Sequence, residues 1–277
     1  MTEIVSFAHA GATLIAEISP ANASAEPDGP SYVLLHGIGM GRTIFAELIE
    51  HLGDGGRVQT IAIDLPGYGT APEPARVLTM ERTADLVAAF LRGRGGAPAV
   101  IVGHSMGAQI ALEGAARHPE LVDRVVLIGP TVNRRERTAR RQILRLAQDL
   151  LVESPRVIVI GAREYLRAGP SVRRKFRAML AHAPELTCPR VLAPALVIRG
   201  ANDYVSSRAW CRFLVASLPD GRLAEVDGHG HETMIRDATP SAELIRGFAA
   251  GADGAESAAV RRMTAMPDEG GNVGTPP

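Results

Sequence analysis

Three residues of this chain have the types and the setting for nucleophilic chemistry on an acyl group: Ser105, Asp203 and His231. Ser105 is the centre of Gly103-His104-Ser105-Met106-Gly107, a G-x-S-x-G pentapeptide. An apolar, β-branched run, Ala99-Val100-Ile101-Val102, leads into it, and a helical pattern from Met106 to Arg117 follows. That is the strand, sharp turn and helix such a serine needs, with glycines where the turn leaves no room for a side chain. The amide of Met106, at the start of the helix, is placed to receive an oxyanion. A serine hydroxyl is a weak nucleophile, so a base must take its proton and a carboxylate must orient that base. Asp203 follows the strand Leu196-Val197-Ile198-Arg199 in Gly200-Ala201-Asn202-Asp203. His231 follows the run ending at Val226, in Asp227-Gly228-His229-Gly230-His231, where His229 is a second candidate. The order Ser, Asp, His suits this turn architecture. Upstream, Leu34-Leu35-His36-Gly37-Ile38-Gly39 ends a strand in a glycine-containing loop, whose Ile38 amide is a candidate second oxyanion donor. His36, Gly37, His104 and His229 are candidate pocket residues, His36 as a holder of its loop and His104 as a packing residue.

Positioning these residues requires strands that end at one edge. Residues 2–20 alternate on either side of Gly11 and predict an edge hairpin. Strands at Tyr32–Leu35, Val58–Ile63, Ala99–Val102 and Val125–Ile128 then alternate with helices at Ile44–Leu52, Thr79–Leu91 and Met106–Arg117. After a break, strands at Ala195–Ile198 and Leu223–Val226 alternate with helices at Arg208–Leu218 and Ser241–Ala249. The pattern predicts an α/β fold: a mostly parallel eight-stranded sheet with helices on both faces. Residues 131–193 read as a helical lid inserted after the sixth strand. Ile143, Leu146, Ala147, Leu150 and Leu151 mark one amphipathic helix, and Val172, Phe176, Met179 and Leu180 another. Arg156–Ile160 fits either a strand or a helix. The core is therefore expected in 1–130 and 194–250, with a disordered, Gly/Ala/Pro-rich tail at 251–277.

His36-Gly37, Asp64–Gly69, Gly103–Gly107, Gly200–Asp203 and Gly230-His231 together resemble the α/β-hydrolase fold family, in its group with a single helical lid and a Ser-Asp-His triad. The resemblance covers roughly residues 2–250. It implies Ser105 as nucleophile, Asp203 as acid and His231, preceded by glycine, as base. It also implies a serine hydrolase acting through an acyl-enzyme on a small to medium carboxylic ester, thioester or lactone. Two alternatives share the motifs: a carbon–carbon bond hydrolase of ring-cleavage products, and a non-catalytic ligand-binding member of the fold. A proline common after the acid in this family is replaced by Tyr204-Val205-Ser206.

Composition sets the remaining bounds. The chain has 277 residues, 46% hydrophobic and 22% charged, with zero formal net charge. Nothing in that balance points to nucleic acid as a partner, and a small-molecule substrate is expected, with the oligomeric state open. No metal or organic cofactor is expected. Cys188 and Cys211 lack metal-ligand spacing and read as buried free thiols. There is no apolar run long enough to span a membrane and no secretory pattern, so the expected location is the cytoplasm. Residues 131–193 hold fourteen Arg or Lys against five Asp or Glu, including Arg134, Arg135, Arg137, Arg140 and Arg141, then Arg173, Arg174, Lys175 and Arg177. A cationic gate is one reading. Helix periodicity favours the other, solvated outer faces in an arginine-rich chain whose only lysine is Lys175.

Overall fold

The computed structural model describes residues 2–20, 30–53, 58–149, 171–235, 237–251 and 260–262. The first strands, β1 (Glu3–His9) and β2 (Ala12–Ser19), form an antiparallel hairpin. Its turn uses two residues of positive φ, Ala10 at 48° and Gly11 at 78°, the geometry whose twist matches that of the paired strands. The strands β3 (Tyr32–Leu35), β4 (Thr60–Asp64), β5 (Ala99–His104), β6 (Val122–Ile128), β7 (Ala195–Gly200) and β8 (Gly221–Val226) are parallel. The sheet order is β1-β2-β4-β3-β5-β6-β7-β8-β9. Within the expected tail, Val260–Arg262 pairs antiparallel with β8 as a ninth, three-residue strand, β9. The rest of 252–277 lies outside the described residues.

Successive strand residues serve opposite faces. Val33, Leu35, Val125, Leu127 and Val197 belong to one buried cluster, with α2 (Met80–Gly93), α3 (Met106–Arg117) and, further along the chain, the helix Arg208–Ser217. Leu34, Val126, Ile128, Leu196 and Ile198 belong to the other, with α1 (Ala46–Leu52) and the helix Thr239–Ala249. Helices on both faces explain why the central strands read as continuous apolar runs. Because β3 to β8 run the same way, the loops that follow them all emerge at one edge. The strand order reverses around β3, the point at which open sheets of this kind leave a crevice.

Between β6 and β7 the chain forms α4 (Ala139–Asp149), α5 (Val172–Ala181) and a single turn, α6 (Pro184–Thr187). The ambiguous stretch Arg156–Ile160 lies outside the described residues. The core then closes with α7 (Arg208–Ser217) and α8 (Thr239–Ala249). Cys188 and Cys211 are free and buried, and burial pushes both thiols up to about 12. Among the described residues no helix is long and apolar enough to cross a membrane.

Candidate active site

Ser105 follows β5 and caps α3 with φ 54° and ψ −111°, a conformation that ordinary L-residues avoid. Its neighbours enforce the turn. A Cβ on Gly103 would stand 2.2 Å from the Gly107 carbonyl oxygen, and one on Gly107 would stand 2.0 Å from that of Leu35. The Ser105 amide donates to Ile128 O at 2.9 Å, and the Gly129 amide donates to Ile198 O at 2.8 Å. The ends of β5, β6 and β7 are thus tied together beneath the serine.

Asp203 and His231 meet above that seam. His231 Nδ1 donates to Asp203 Oδ2 at 2.9 Å, with both residues buried. The other carboxylate oxygen, Oδ1, accepts the amides of Val205 at 2.8 Å and Ser206 at 2.7 Å. Gly129, with φ 51°, lies against the pair: a Cβ there would be 2.8 Å from His231 Cε1 and 3.3 Å from Asp203 Oδ2. His229 does not make this contact. Its Nδ1 donates to Asp227 O at 3.0 Å, so the geometry separates the two candidate histidines.

The loop after β3 closes the other side. A Cβ on Gly37 would come within 3.2 Å of Ser105 Cβ and 3.0 Å of His104 Nδ1. This places the Gly37-Ile38 stretch beside the serine. Met106 opens α3, so its amide is one of those a helix leaves without an internal partner. His36 is fully buried; its Nδ1 donates to Gly37 O at 2.7 Å and its Nε2 accepts the Leu65 amide at 3.1 Å. Burial pushes its pKa down to about 4, so a neutral ring clasps the β3 and β4 loops together. His104 is buried, with its ring centroid 4.9 Å from that of His231 and Nε2 3.3 Å from His231 O. Burial holds it well below the usual imidazole range.

Several contacts around the site were not announced by the sequence. Asp64 accepts the Arg42 amide at 2.6 Å, the Thr70 amide at 2.8 Å and the Arg42 guanidinium, which also reaches Glu17 at 2.9 Å. Those hydrogen bonds hold the Asp64 carboxyl below its usual range despite burial, and the network braces the loops flanking Gly37. Lys175, expected among solvated lid cations, is instead buried. Its Nζ donates to Gly67 O and to Glu73 at 2.8 Å, and it lies 4.3 Å above the Tyr68 ring. Arg173, Arg174 and Arg177 on the same helix are exposed, as the periodicity predicts. Near Met106 lies a small cleft lined by Leu65, Tyr68, Met80, Ile110 and Lys175, with a cavity volume of about 20 Å³. Glu113 of α3 joins α3 to the insertion, accepting His182 Nε2 at 2.9 Å and the Thr187 hydroxyl. The signal for these contacts was faint, a lone lysine and polar residues inside apolar patterns.

The chain is similar to known proteins in both sequence and fold. Over 233 residues the chain is 31% identical to a pimeloyl-[acyl-carrier protein] methyl ester esterase of Chromobacterium violaceum, covering 75% of this chain and 89% of that one. It is 26% identical over 226 residues to a 2-(acetamidomethylene)succinate hydrolase of Mesorhizobium japonicum, covering 82% and 73%. Among solved structures, a thermophilic esterase from Thermogutta terrifontis matches the fold with a TM-score of 0.73 at 20% identity, covering 90% of this chain and 97% of that one. The model of the alpha/beta hydrolase family matches residues 32–246. A match that runs from β3 into α8 takes in every loop at the site's edge, and the chain is therefore a hydrolase belonging to the alpha/beta hydrolase family.

Proposed function

We propose that this protein is a serine hydrolase that cleaves a small to medium carboxylic ester, thioester or lactone through an acyl-enzyme. The observation that carries the reading is the 2.9 Å bond between His231 Nδ1 and an Asp203 carboxylate whose other oxygen is already occupied, in a chain whose Ser105 holds a strained backbone at the start of α3. In this reading His231 Nε2 takes the Ser105 proton as Oγ attacks the carbonyl carbon. Asp203 fixes the tautomer and stabilises the imidazolium. The amides of Ile38 and Met106 hold the oxyanion, each such donor being worth about 3–4 kcal/mol of transition-state stabilisation. His231 then returns the proton to the leaving alcohol or thiol, and a water, activated by the same imidazole, releases the acid. The insertion between β6 and β7 acts as a lid. The relative from C. violaceum is named for a methyl ester of an acyl chain, which supports the ester class.

The test is labelling with a fluorophosphonate, which reports an activated serine without a guess at substrate. Wild type is expected to label, and Ser105→Ala and His231→Ala are expected to fail. His229→Ala should label. Folded wild type that stays unlabelled while hydrolysing no p-nitrophenyl ester would refute the reading.

A further inference from the structure

We propose that Arg199 is a positioning residue for the Asp203–His231 pair, holding the acid's loop through two main-chain carbonyls while Glu225 neutralises its charge. The inference rests on the serine-hydrolase reading above. Arg199 is the penultimate residue of β7, an otherwise apolar strand, and it is 4% exposed. Its guanidinium spreads over three acceptors. Nη2 donates to Asp203 O at 3.0 Å, Nε donates to Ser206 O at 3.0 Å, and Nη1 donates to Glu225. Glu225 is the register partner of Arg199 on β8, is 1% exposed, and accepts Arg208 Nε at 2.9 Å as well.

The two carbonyls bracket the turn whose amides fix the catalytic carboxylate. Val205 and Ser206 point their N–H groups at Asp203 Oδ1, and the guanidinium grips the same turn by its carbonyls. The Ser206 hydroxyl ties the turn to Pro130 O at 2.9 Å, next to the Gly129 that touches the imidazole. Movement of this turn would therefore move Asp203 Oδ2 relative to His231. Stability alone is a poor reason for such a residue, because a buried ion pair is often no better than an apolar pair of equal volume. A planar fork of fixed geometry is a good reason, since it sets three acceptors at once. Glu225 completes the arrangement: it gives the guanidinium a carboxylate of its own and leaves Asp203 Oδ2 to His231.

The experiment compares wild type with Arg199→Met/Glu225→Met, Arg199→Lys and Val197→Ala, reading the fluorophosphonate labelling rate, kcat, KM on a p-nitrophenyl ester, and Tm. The double variant removes the two buried charges together; Arg208 loses its carboxylate partner but is half-exposed and stays hydrated. It is expected to fold with near-wild-type Tm yet lose at least tenfold in kcat and in labelling rate, with KM within threefold. Arg199→Lys keeps the charge without the fork and should fall between. Val197→Ala, a core truncation in the same strand, should lower Tm and leave kcat within twofold. The proposal is overturned if the double variant keeps kcat within twofold, or if all three variants lose activity in step with Tm. Wild type that neither labels nor turns over would sink the assignment of Ser105 itself. Normal wild-type labelling with unimpaired Arg199 variants would sink this proposal alone.

Discussion

At the scale of single residues, the site is shaped as much by absent side chains as by present ones. Gly129 is the sharpest case. Its φ of 51° favours glycine, and a Cβ would overlap the imidazole of His231. Gly129→Ala should therefore cost about 1 kcal/mol or more in stability from the backbone alone. It should cost far more in turnover, because a displacement of about 1 Å at reacting groups is worth roughly a hundredfold. Labelling rate and Tm measured together test this: a rate within threefold of wild type would show that the imidazole is not held against Gly129. Ser105, Asp203 and His231 were legible in the sequence because each follows a recognisable apolar run, so one-dimensional order maps onto one sheet edge. Gly129 was not, since nothing in Ile128-Gly129-Pro130 announces that a ring from a loop about one hundred residues later will rest on it. Arg199 and Glu225 are of the same kind. Each looks like a stray charge until the β7–β8 register sets them opposite one another.

At the scale of elements, the core was readable and the attachment of the insertion was not. Strand and helix positions follow from period and turn residues. How α5 sits on the core depends on contacts between elements that are not sequential, and these are polar. Gln109 Nε2 of α3 donates to Met179 O at 3.2 Å, Glu113 takes His182 and Thr187, and Lys175 crosses to Gly67 and Glu73. Lys175 belongs to a run of cations, Arg173 to Arg177, whose periodicity suggests water on every side but one. Lys175→Met should leave the apolar stem in place and remove the charged contact, loosening α5 from the loop after β4. Limited proteolysis within 131–193 should then run several-fold faster than in wild type. Equal rates would deny the latch. Glu113 offers a second test with a defined sign. Hydrogen bonds from His182 and Thr187 outweigh burial and lower its pKa below 4.5. Its contribution is thus complete above the unfolded value and fades as pH falls through the folded one. Glu113→Gln should be less stable than wild type by about 1–3 kcal/mol near neutrality. That gap should narrow below about pH 4.5, and denaturant titrations at both pH values would show a constant gap if the carboxylate were not the cause.

At the scale of the whole molecule, two buried histidines at the site's edge govern how the fold meets acid. His36 is fully buried, and desolvation outweighs both its bond to Gly37 and the attraction of Asp64, bringing its pKa to about 4; Lys175 pushes the same way. His104 is also held well below the usual imidazole range, by burial first and then by His231 and His36, and its Nε2 lies 3.5 Å from Glu232. In the unfolded chain both rings titrate near 6.5. Between that value and about 4 the unfolded state therefore binds protons that the folded state refuses, and stability rises with pH across the window. Each ring contributes a slope approaching roughly 1.4 kcal/mol per pH unit. The protein should thus lose stability as pH drops from about 6.5 toward 4.5, before protonation of carboxylates such as Asp64 and Glu113 adds its own loss. Chemical denaturation at half-unit intervals from pH 7.5 to 4.5 measures the slope. His36→Gln should be less stable at pH 7, because one clasp between the β3 and β4 loops is gone. Its slope should nevertheless be about half that of wild type. An unchanged slope in that variant would place the acid sensitivity elsewhere, and would mean that the ring clasping the Gly37 loop carries a proton in the folded state.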